Sequence, residues 1–367
     1  MSISKRRIAI IIPGGIGTGP NNMGVPVLER QVKLLAKDFD IVVFSLFKVN
    51  AGYKPDGFKI VSIASRNPII KSLAFLFAFR KHNARAKFSV IHGFWAFPPG
   101  FLAVLVGRIY SIKSVVSILG GDGISLPEIK YGQLRNIFTR KLIIWTLHHA
   151  TNPIALTKYL EDNLKKYGLK RDLQIIPWGI DTELFKYNEK KIETPIQLLH
   201  IANLHPVKDQ PTLIKAFKLI RDKIDSHLTI IGTGEYEMQM KEMIHSLELQ
   251  NHVTLVKPMS YELLPAYYNK AHLLLHTSLS EGQCEVVTEA MSAGVVVCGT
   301  SVGILYDKPD CCVSVDVKDY KGLAEKVLNL INNKSQIESF KVNASKFTKT
   351  CDFHWTIEQI KKIYQDS

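Results

Sequence analysis

A chain of 367 residues, 46% of them hydrophobic, exceeds one typical domain and suits two, each with a sizeable core. No apolar run reaches the 18 or so residues of a membrane-spanning helix, and five cysteines show neither metal spacing nor a disulfide framework, so a reducing cytoplasm is expected. The net charge of +14 is unevenly placed: residues 1–176 hold 26 Lys and Arg against 9 Asp and Glu, whereas residues 177–367 hold 21 against 24. The basic half suits an anionic membrane surface or an anionic acceptor. Its cations lack the interleaved aromatics of RNA-binding motifs, so no nucleic acid is expected.

Lys5-Arg6-Arg7 followed by Ile8 to Ile12 superficially resembles a signal peptide. Pro13-Gly14-Gly15 follows at once without a cleavage-like site, so a first strand is expected instead. A Gly-rich loop runs from Pro13 to Gly24, and a helix is predicted from about Val25 to Lys37. Strand, Gly-rich loop and helix is how Rossmann-like domains present a loop to a phosphate. The glycines are not spaced Gly-x-Gly-x-x-Gly at the helix start, and no acidic residue ends the next strand, Ile41 to Phe47, which argues against a dinucleotide. Asp38-Phe39-Asp40 has the spacing of a metal motif, but lies where a polar turn between helix and strand is expected.

Asn67 to Phe88 reads as a helix mixing Lys71, Arg80, Lys81, Arg85 and Lys87 with Leu73, Phe75, Leu76, Phe77 and Phe79. Either it lies on a membrane surface, or it faces a core and shows a basic outer side. Tyr131 to Trp145 adds Arg135, Arg140 and Lys141. Two strands, Val90 to Trp95 and Val115 to Leu119, end in polar corners that hold His92, Trp95 and Asp122. Ligands of open α/β sheets sit at the carboxyl ends of strands, so these three are candidates for a ligand site. An Asp in Gly120-Gly121-Asp122-Gly123 also suits a plain turn. Ile175 to Asp181 leads out of this half, with Gly179 permitting a bend and Asp181 capping the next turn.

The strand–loop–helix rhythm then restarts: strand Leu198 to Ala202, loop Asn203 to Gln210, helix Pro211 to Arg221. Lys208 is a flexible point charge well placed for a diphosphate. Strand Leu228 to Ile231 ends in Gly232-Thr233-Gly234-Glu235, and strand Val253 to Val256 ends in Lys257-Pro258-Met259. After a short helix, Glu262 to Asn269, comes the most informative stretch. Leu273-Leu274-Leu275 is a buried strand, Ser278 to Gly282 a loop, and a helix from about Glu285 ends at Gly294 before the β-branched strand Val295 to Val297. Glu281 lies in the loop and Glu289 on the helix. Backbone N–H groups of Gln283, Cys284 and Glu285 at the helix start could receive an anion. A solvated loop before an ordinary amphipathic helix fits the same spacing. Tyr320 to Asn332 and Thr356 to Tyr364 are further helices.

Glu281, seven residues, then Glu289-Ala290-Met291-Ser292-Ala293-Gly294 and a Val-rich strand resembles the signature of retaining glycosyltransferases of family 4, with the GT-B fold. The resemblance implies two Rossmann-like domains facing a central cleft, with the last helix crossing back to the first domain. Residues 1–176 with 353–367 would bind the acceptor, and residues 177–352 the nucleotide sugar. It implies transfer of a sugar without a metal, from a UDP-sugar more often than a GDP-sugar. The acceptor would be a glycan or lipid-linked glycan of the cell envelope, with possible peripheral contact at an anionic membrane. Gly14 and Gly15 match the loop near the donor phosphate; His92, Trp95 and Asp122 match the acceptor side. Asn203, Lys208, Gly234, Met259, Glu281, Gly282, Gln283, Cys284, Glu285 and Glu289 match the donor side. Glu281, Asp122 and Lys208 would carry catalysis: Glu281 gripping sugar hydroxyls, Lys208 the leaving diphosphate. Glu289 would hold the ribose.

The chain departs from the family pattern at several points. Gln283-Cys284 stands for Phe-Gly, Trp178 for Asn, Lys257 for Gly, Leu119 for the His that touches the donor sugar, and Asn203 for the Arg of the diphosphate clamp. These keep open a binding or scaffold protein that kept the fold and lost the chemistry. A nucleotide-sugar epimerase or a phosphorylase of the same fold is a further alternative.

Overall fold

A computed structural model describes residues 5–18, 24–63 and 65–366. Gly19 to Met23 of the first Gly-rich loop lie outside the described residues. The chain divides into two compact units. One runs to Pro177 and takes back the chain from Thr356 onward; the other runs from Trp178 to Trp355.

The first unit holds strands β1 (Arg7–Ile12), β2 (Asp40–Ser45), β3 (Lys59–Ser62), β4 (Val90–Phe94), β5 (Lys113–Ile118), β6 (Asn152–Ala155) and β7 (Gln174–Ile175). They form one parallel sheet in the order β3-β2-β1-β4-β5-β6-β7. Its helices are α1 (Pro26–Leu35), α2 (Pro68–Arg85), α3 (Phe101–Tyr110), α4 (Ile137–His149) and α5 (Lys158–Lys166). The central strands read as continuous apolar runs because helices cover both faces of a parallel sheet; Ile8 to Ile12 are all fully buried. Asn67 starts α2 by accepting from the N–H groups of Ile69 and Ile70. Tyr131 to Asn136 are not part of α4: they form turns, and the helix starts after Asn136, which caps it. Asp38 and Asp40 are both ion-paired, to Lys361 at 2.6 Å and Arg7 at 3.1 Å.

The second unit holds β8 (Ile196–Ile201), β9 (Ser226–Ile231), β10 (Val253–Val256), β11 (Leu273–His276), β12 (Val296–Thr300) and β13 (Cys312–Val315). They too are parallel, in the order β10-β9-β8-β11-β12-β13. Around them lie α6 (Gln210–Arg221), α7 (Glu237–Ser246), α8 (Pro265–Lys270), α9 (Glu285–Ser292), α10 (Ile304–Asp307), α11 (Tyr320–Ile331) and α12 (Lys334–Thr350). Successive strand residues point to opposite faces. Leu198, Leu273 and Val296 join one core with Leu213, Phe217 and Leu323, while Leu199, Leu274 and Val297 join another with Ala290 and Met291.

The last helix, α13 (Phe353–Gln365), returns the chain to the first unit. Tyr364 is fully buried there, against Phe39 and His92. Arg6 and Lys113 donate to the carbonyls of Ile363, Tyr364 and Gln365, satisfying a helix end that carries partial negative charge. Asp181 accepts from the N–H groups of Glu183 and Leu184, a local cap. At Gly179 the constraint is close approach: a Cβ there would stand 2.0 Å from the Asp352 carbonyl oxygen. No helix among the described residues is long and apolar enough to cross a membrane.

Candidate active site

Three loops of the second unit leave neighbouring strands at the carboxyl edge of its sheet: 202–209 after β8, 232–236 after β9 and 277–284 after β11. The first of these is a short 3-10 turn, Pro206–Lys208, capped by His205 Nδ1, which accepts from the Val207 N–H. Thr277 Oγ1 bonds to the carbonyls of Lys208 and Asp209, both at 3.1 Å, and Leu279 N–H donates to Val207 at 2.8 Å. These bonds stitch the two loops together and bring Lys208 Nζ to 2.5 Å from Glu281 Oε1. Leu204 N–H donates to Thr233 and Tyr236 N–H to Leu204, which ties in the third loop.

Glu281 is held from several sides. Oε1 also accepts from Ser278 Oγ at 2.5 Å and stands 3.0 Å from His276 Nε2. Burial opposes its charge, but Lys208 and the His276 hydrogen bond outweigh burial and hold the carboxyl far below the usual range. Gly303 backs the loop with φ +56°, and a Cβ there would meet Gln283 O at 2.6 Å and Glu281 Cβ at 2.9 Å. Any side chain at 303 would push the carboxylate out of this arrangement.

The helix α9 begins where the sequence suggests, at Glu285, and the chain leaves it through Gly294 at φ +76°. Its N-cap, Cys284, adopts a left-handed conformation and its side chain caps nothing. Sγ points instead at His276 Nε2, 3.2 Å away. Glu289 is buried and accepts from Tyr268 Oη at 2.6 Å; burial pushes its carboxyl up to about 7. Glu285, one turn earlier, is pushed up to about 8 by burial and then by Glu289. Asn203 and Gly234 are exposed, and Met259 is half-buried at the end of β10. The backbone of Gly282, Gln283 and Cys284 is buried between Glu281 and α9.

The remaining candidates belong to the first unit. Gly15 donates to Thr18 Oγ1 and accepts from the Val25 N–H, fixing the loop onto the start of α1, while Gly14 packs against Phe47. Trp95 is half-buried at the end of β4. His92 and Asp122 face inward. His92 has both ring nitrogens engaged, by Tyr364 Oη at 2.7 Å and Ser117 Oγ at 2.8 Å, and stacks on Phe94. Asp122 Oδ2 accepts from Ala96 N–H, and Oδ1 from Leu119 and Gly120 N–H. Both side chains are buried, and each ties neighbouring elements together. Burial raises the Asp122 carboxyl, against the pull of the three N–H groups.

The structure thus gathers Lys208, Glu281, Cys284 and Glu285 with His276 and Ser278. Sequence spacing passed over His276 and Tyr268. The available signal was a histidine at the carboxyl end of a strand whose other residues are leucines, two positions before a serine.

The model of the glycosyl transferases group 1 matches residues 181–347, and that of glycosyltransferase family 4 matches residues 27–184. An uncharacterized glycosyltransferase of Methanocaldococcus jannaschii is 25% identical over 287 residues, 76% of this chain and 75% of that protein. A subunit of phosphatidylinositol N-acetylglucosaminyltransferase from Saccharomyces cerevisiae is 24% identical over 232 residues, 59% of this chain but about half of that protein, 51%. Among solved structures, Anabaena HepE in complex with UDP superposes with a TM-score of 0.77 at 18% identity, covering 98% of this chain and 100% of that one.

Proposed function

Given that the chain belongs to family 4 of the group 1 glycosyltransferases, with the GT-B fold, we propose that it moves a sugar from a nucleotide sugar to a glycan or lipid-linked acceptor, with retention at the anomeric carbon. The observation that carries this reading is the Lys208–Glu281 contact at the carboxyl edge of the second unit's sheet. A buried carboxylate held ionised suits hydrogen bonding to sugar hydroxyls and support of a positively charged, oxocarbenium-like transition state. The ammonium beside it suits the departing diphosphate. Donor binding then exchanges one partner of Lys208 for another: the phosphate takes the ammonium, and Glu281 turns to the sugar.

In this reading the second unit binds the donor. Gly14 and Gly15 approach the donor phosphate, Gly234 and Met259 flank the nucleotide, and Glu289 holds the ribose. The buried backbone of Gly282, Gln283 and Cys284, with Glu285, shapes the sugar side. The first unit binds the acceptor, with Trp95 at the contact and Asp122 and His92 fixing the corner. No metal takes part in the transfer, since an ammonium and helix amides can carry the leaving charge. A UDP-sugar is favoured over a GDP-sugar by the UDP bound to HepE.

The acceptor reaches the site from a membrane surface. Ile69, Leu73 and Phe77 on α2 are 70, 60 and 72% exposed, and Ile137 and Phe138 at the start of α4 are 62 and 67% exposed. Lys71, Arg80, Lys81, Arg135 and Lys141 accompany them, a combination suited to an anionic interface at the inner face of the cell membrane. The relation to a phosphatidylinositol-modifying enzyme fits an acceptor of this kind.

The test is a panel of UDP-, GDP- and ADP-sugars scored for released diphosphate, alongside Glu281→Ala and Lys208→Ala. Release that depends on an acceptor and falls in both variants supports the proposal. Turnover of donor without acceptor sinks it in favour of an epimerase. A second reading, a binding protein that has lost the chemistry, is favoured by the exposed, uncharged Asn203. It is supported if nucleoside diphosphates raise the melting temperature while every donor stays intact.

A further inference from the structure

Four donor atoms of the second unit converge on one point. His276 Nε2 has Ser278 Oγ at 2.9 Å, Glu281 Oε1 at 3.0 Å and Cys284 Sγ at 3.2 Å. A single ring nitrogen carries one proton or one lone pair, so it cannot serve three partners at once. The imidazole, carboxylate and thiol ligand atoms all lie within 4.8 Å of one another. A tetrahedral zinc site with bonds of about 2.0–2.3 Å has ligand-to-ligand edges of roughly 3.3–3.6 Å. The His276–Glu281 and His276–Cys284 separations need open by only a few tenths of an ångström to admit an ion, while Ser278 Oγ, 2.5 Å from Glu281 Oε1, would move back by about 1 Å or give way to water.

We propose that His276, Glu281 and Cys284 form an inhibitory site for a thiophilic divalent cation, zinc being the reference ion, with Ser278 Oγ or water completing the shell. The donor set decides the class of ion. Sulfur and imidazole select zinc-like metals over magnesium or calcium, which take oxygen shells. Charge is balanced: the thiol gives its proton to solvent, and thiolate plus carboxylate neutralise the dication. The ammonium of Lys208 leaves Glu281 when the ion enters; its side chain is 22% exposed and has solvent to move into. Because Cys284 is the left-handed N-cap of α9 and His276 ends β11, both ligands stand on fixed elements. The site exists whether or not the chain transfers sugar. Only its consequence rests on the function proposed above: an ion on Glu281 removes the carboxylate that grips the donor.

The test uses the full chain with cobalt(II) as a spectroscopic probe and zinc as its competitor. One equivalent of cobalt is expected to give a thiolate-to-cobalt charge-transfer band in the near ultraviolet, bleached by zinc but not by magnesium. Cys284→Ser is expected to remove the band and weaken zinc binding by more than about tenfold. His276→Gln is expected to weaken it likewise, which keeps the test decisive if either variant folds poorly. Lys208→Ala removes the competing cation and is expected to tighten zinc binding roughly tenfold, the scale of one charge-assisted contact. An adventitious surface ion only, seen as binding without the band or as equal affinity in the wild type and Cys284→Ser, overturns the proposal. Absence of cobalt and zinc binding overturns it too. A positive spectrum in a protein that turns over no sugar donor leaves this site standing and the transferase reading fallen.

Discussion

The side-chain amide of Gln283 forms two hydrogen bonds with the backbone of Trp178: Nε2 donates to the carbonyl at 2.6 Å, and Oε1 accepts from the N–H at 2.7 Å. Trp178 is the first residue of the second unit. Both positions depart from the family pattern, which has Phe and Asn there, and the structure pairs the two departures. Gln283→Ala would leave two backbone groups of Trp178 without these partners, at about 1–3 kcal/mol for each that stays dry. The expected result is a clear fall in denaturant midpoint with little change in slope. An unchanged midpoint would show that the clamp contributes nothing.

Lys208→Ala leaves Glu281 charged and half-enclosed without its ammonium. Breaking a buried pair costs about 3–5 kcal/mol; Lys208 is 22% and Glu281 11% exposed, so the lower end applies after screening by solvent. The folded carboxyl lies below its unfolded value of about 4.5, so its contribution is fully present above that pH and is lost as pH falls through the folded value. Acid unfolding of Lys208→Ala is therefore expected at a higher pH than in the wild type. Coincident acid transitions would contradict the pairing.

Glu289 titrates in the opposite sense. Its carboxyl is raised from 4.5 to about 7, so the unfolded chain releases this proton first. Stability then declines as pH rises from about 4.5 to 7 and levels off above, with roughly 3.5 kcal/mol as an upper bound at about 1.4 kcal/mol per unit. Glu289→Gln keeps an acceptor for Tyr268 Oη and cannot ionise. Relative to wild type it is expected to gain stability between pH 5 and pH 8, measured by urea midpoints at both. A constant difference across that range would show that Glu289 stays ionised throughout.

The strands were legible because their apolar runs are short, β-branched and closed by Gly or polar corners. The central strands of both sheets and the start of α9 at Glu285 follow from that patterning alone. The helix α12, Lys334–Thr350, was passed over because Lys, Ser and Asn outnumber its core residues and only a narrow stripe, Ile337, Lys341, Ala344 and Thr348, is buried. Site residues divided by how local their signal is. Glu281 and Lys208 lie in loops with spacing of their own, and the structure brings the two side chains into contact. His92 lies in the middle of β4 and Asp122 in the turn after β5; the returning helix α13 brings Tyr364 onto one, and three backbone N–H groups close on the other. Contacts between residues 272 positions apart leave no trace in local pattern.

In the proposed reading, Asn203 stands where the family pattern has the arginine of its diphosphate clamp. His205 is close in sequence, but its Nδ1 is committed to the Val207 N–H of its own loop and its Nε2 lies 3.6 Å from Glu235 of the neighbouring loop. Asn203 itself is exposed, and its backbone carbonyl helps fix the loop, accepting from His205 N–H and Gln210 Nε2. An arginine there meets no packing obstacle and is expected to change stability by less than about 0.5 kcal/mol. One added charge-assisted hydrogen bond, about 1.5–3 kcal/mol, corresponds to a gain of one to two powers of ten in affinity for a nucleoside diphosphate. Asn203→Arg is therefore expected to bind UDP at least tenfold more tightly by calorimetry. Weaker binding in the variant would mean that the pocket is shaped around the amide and that the clamp is complete as it stands.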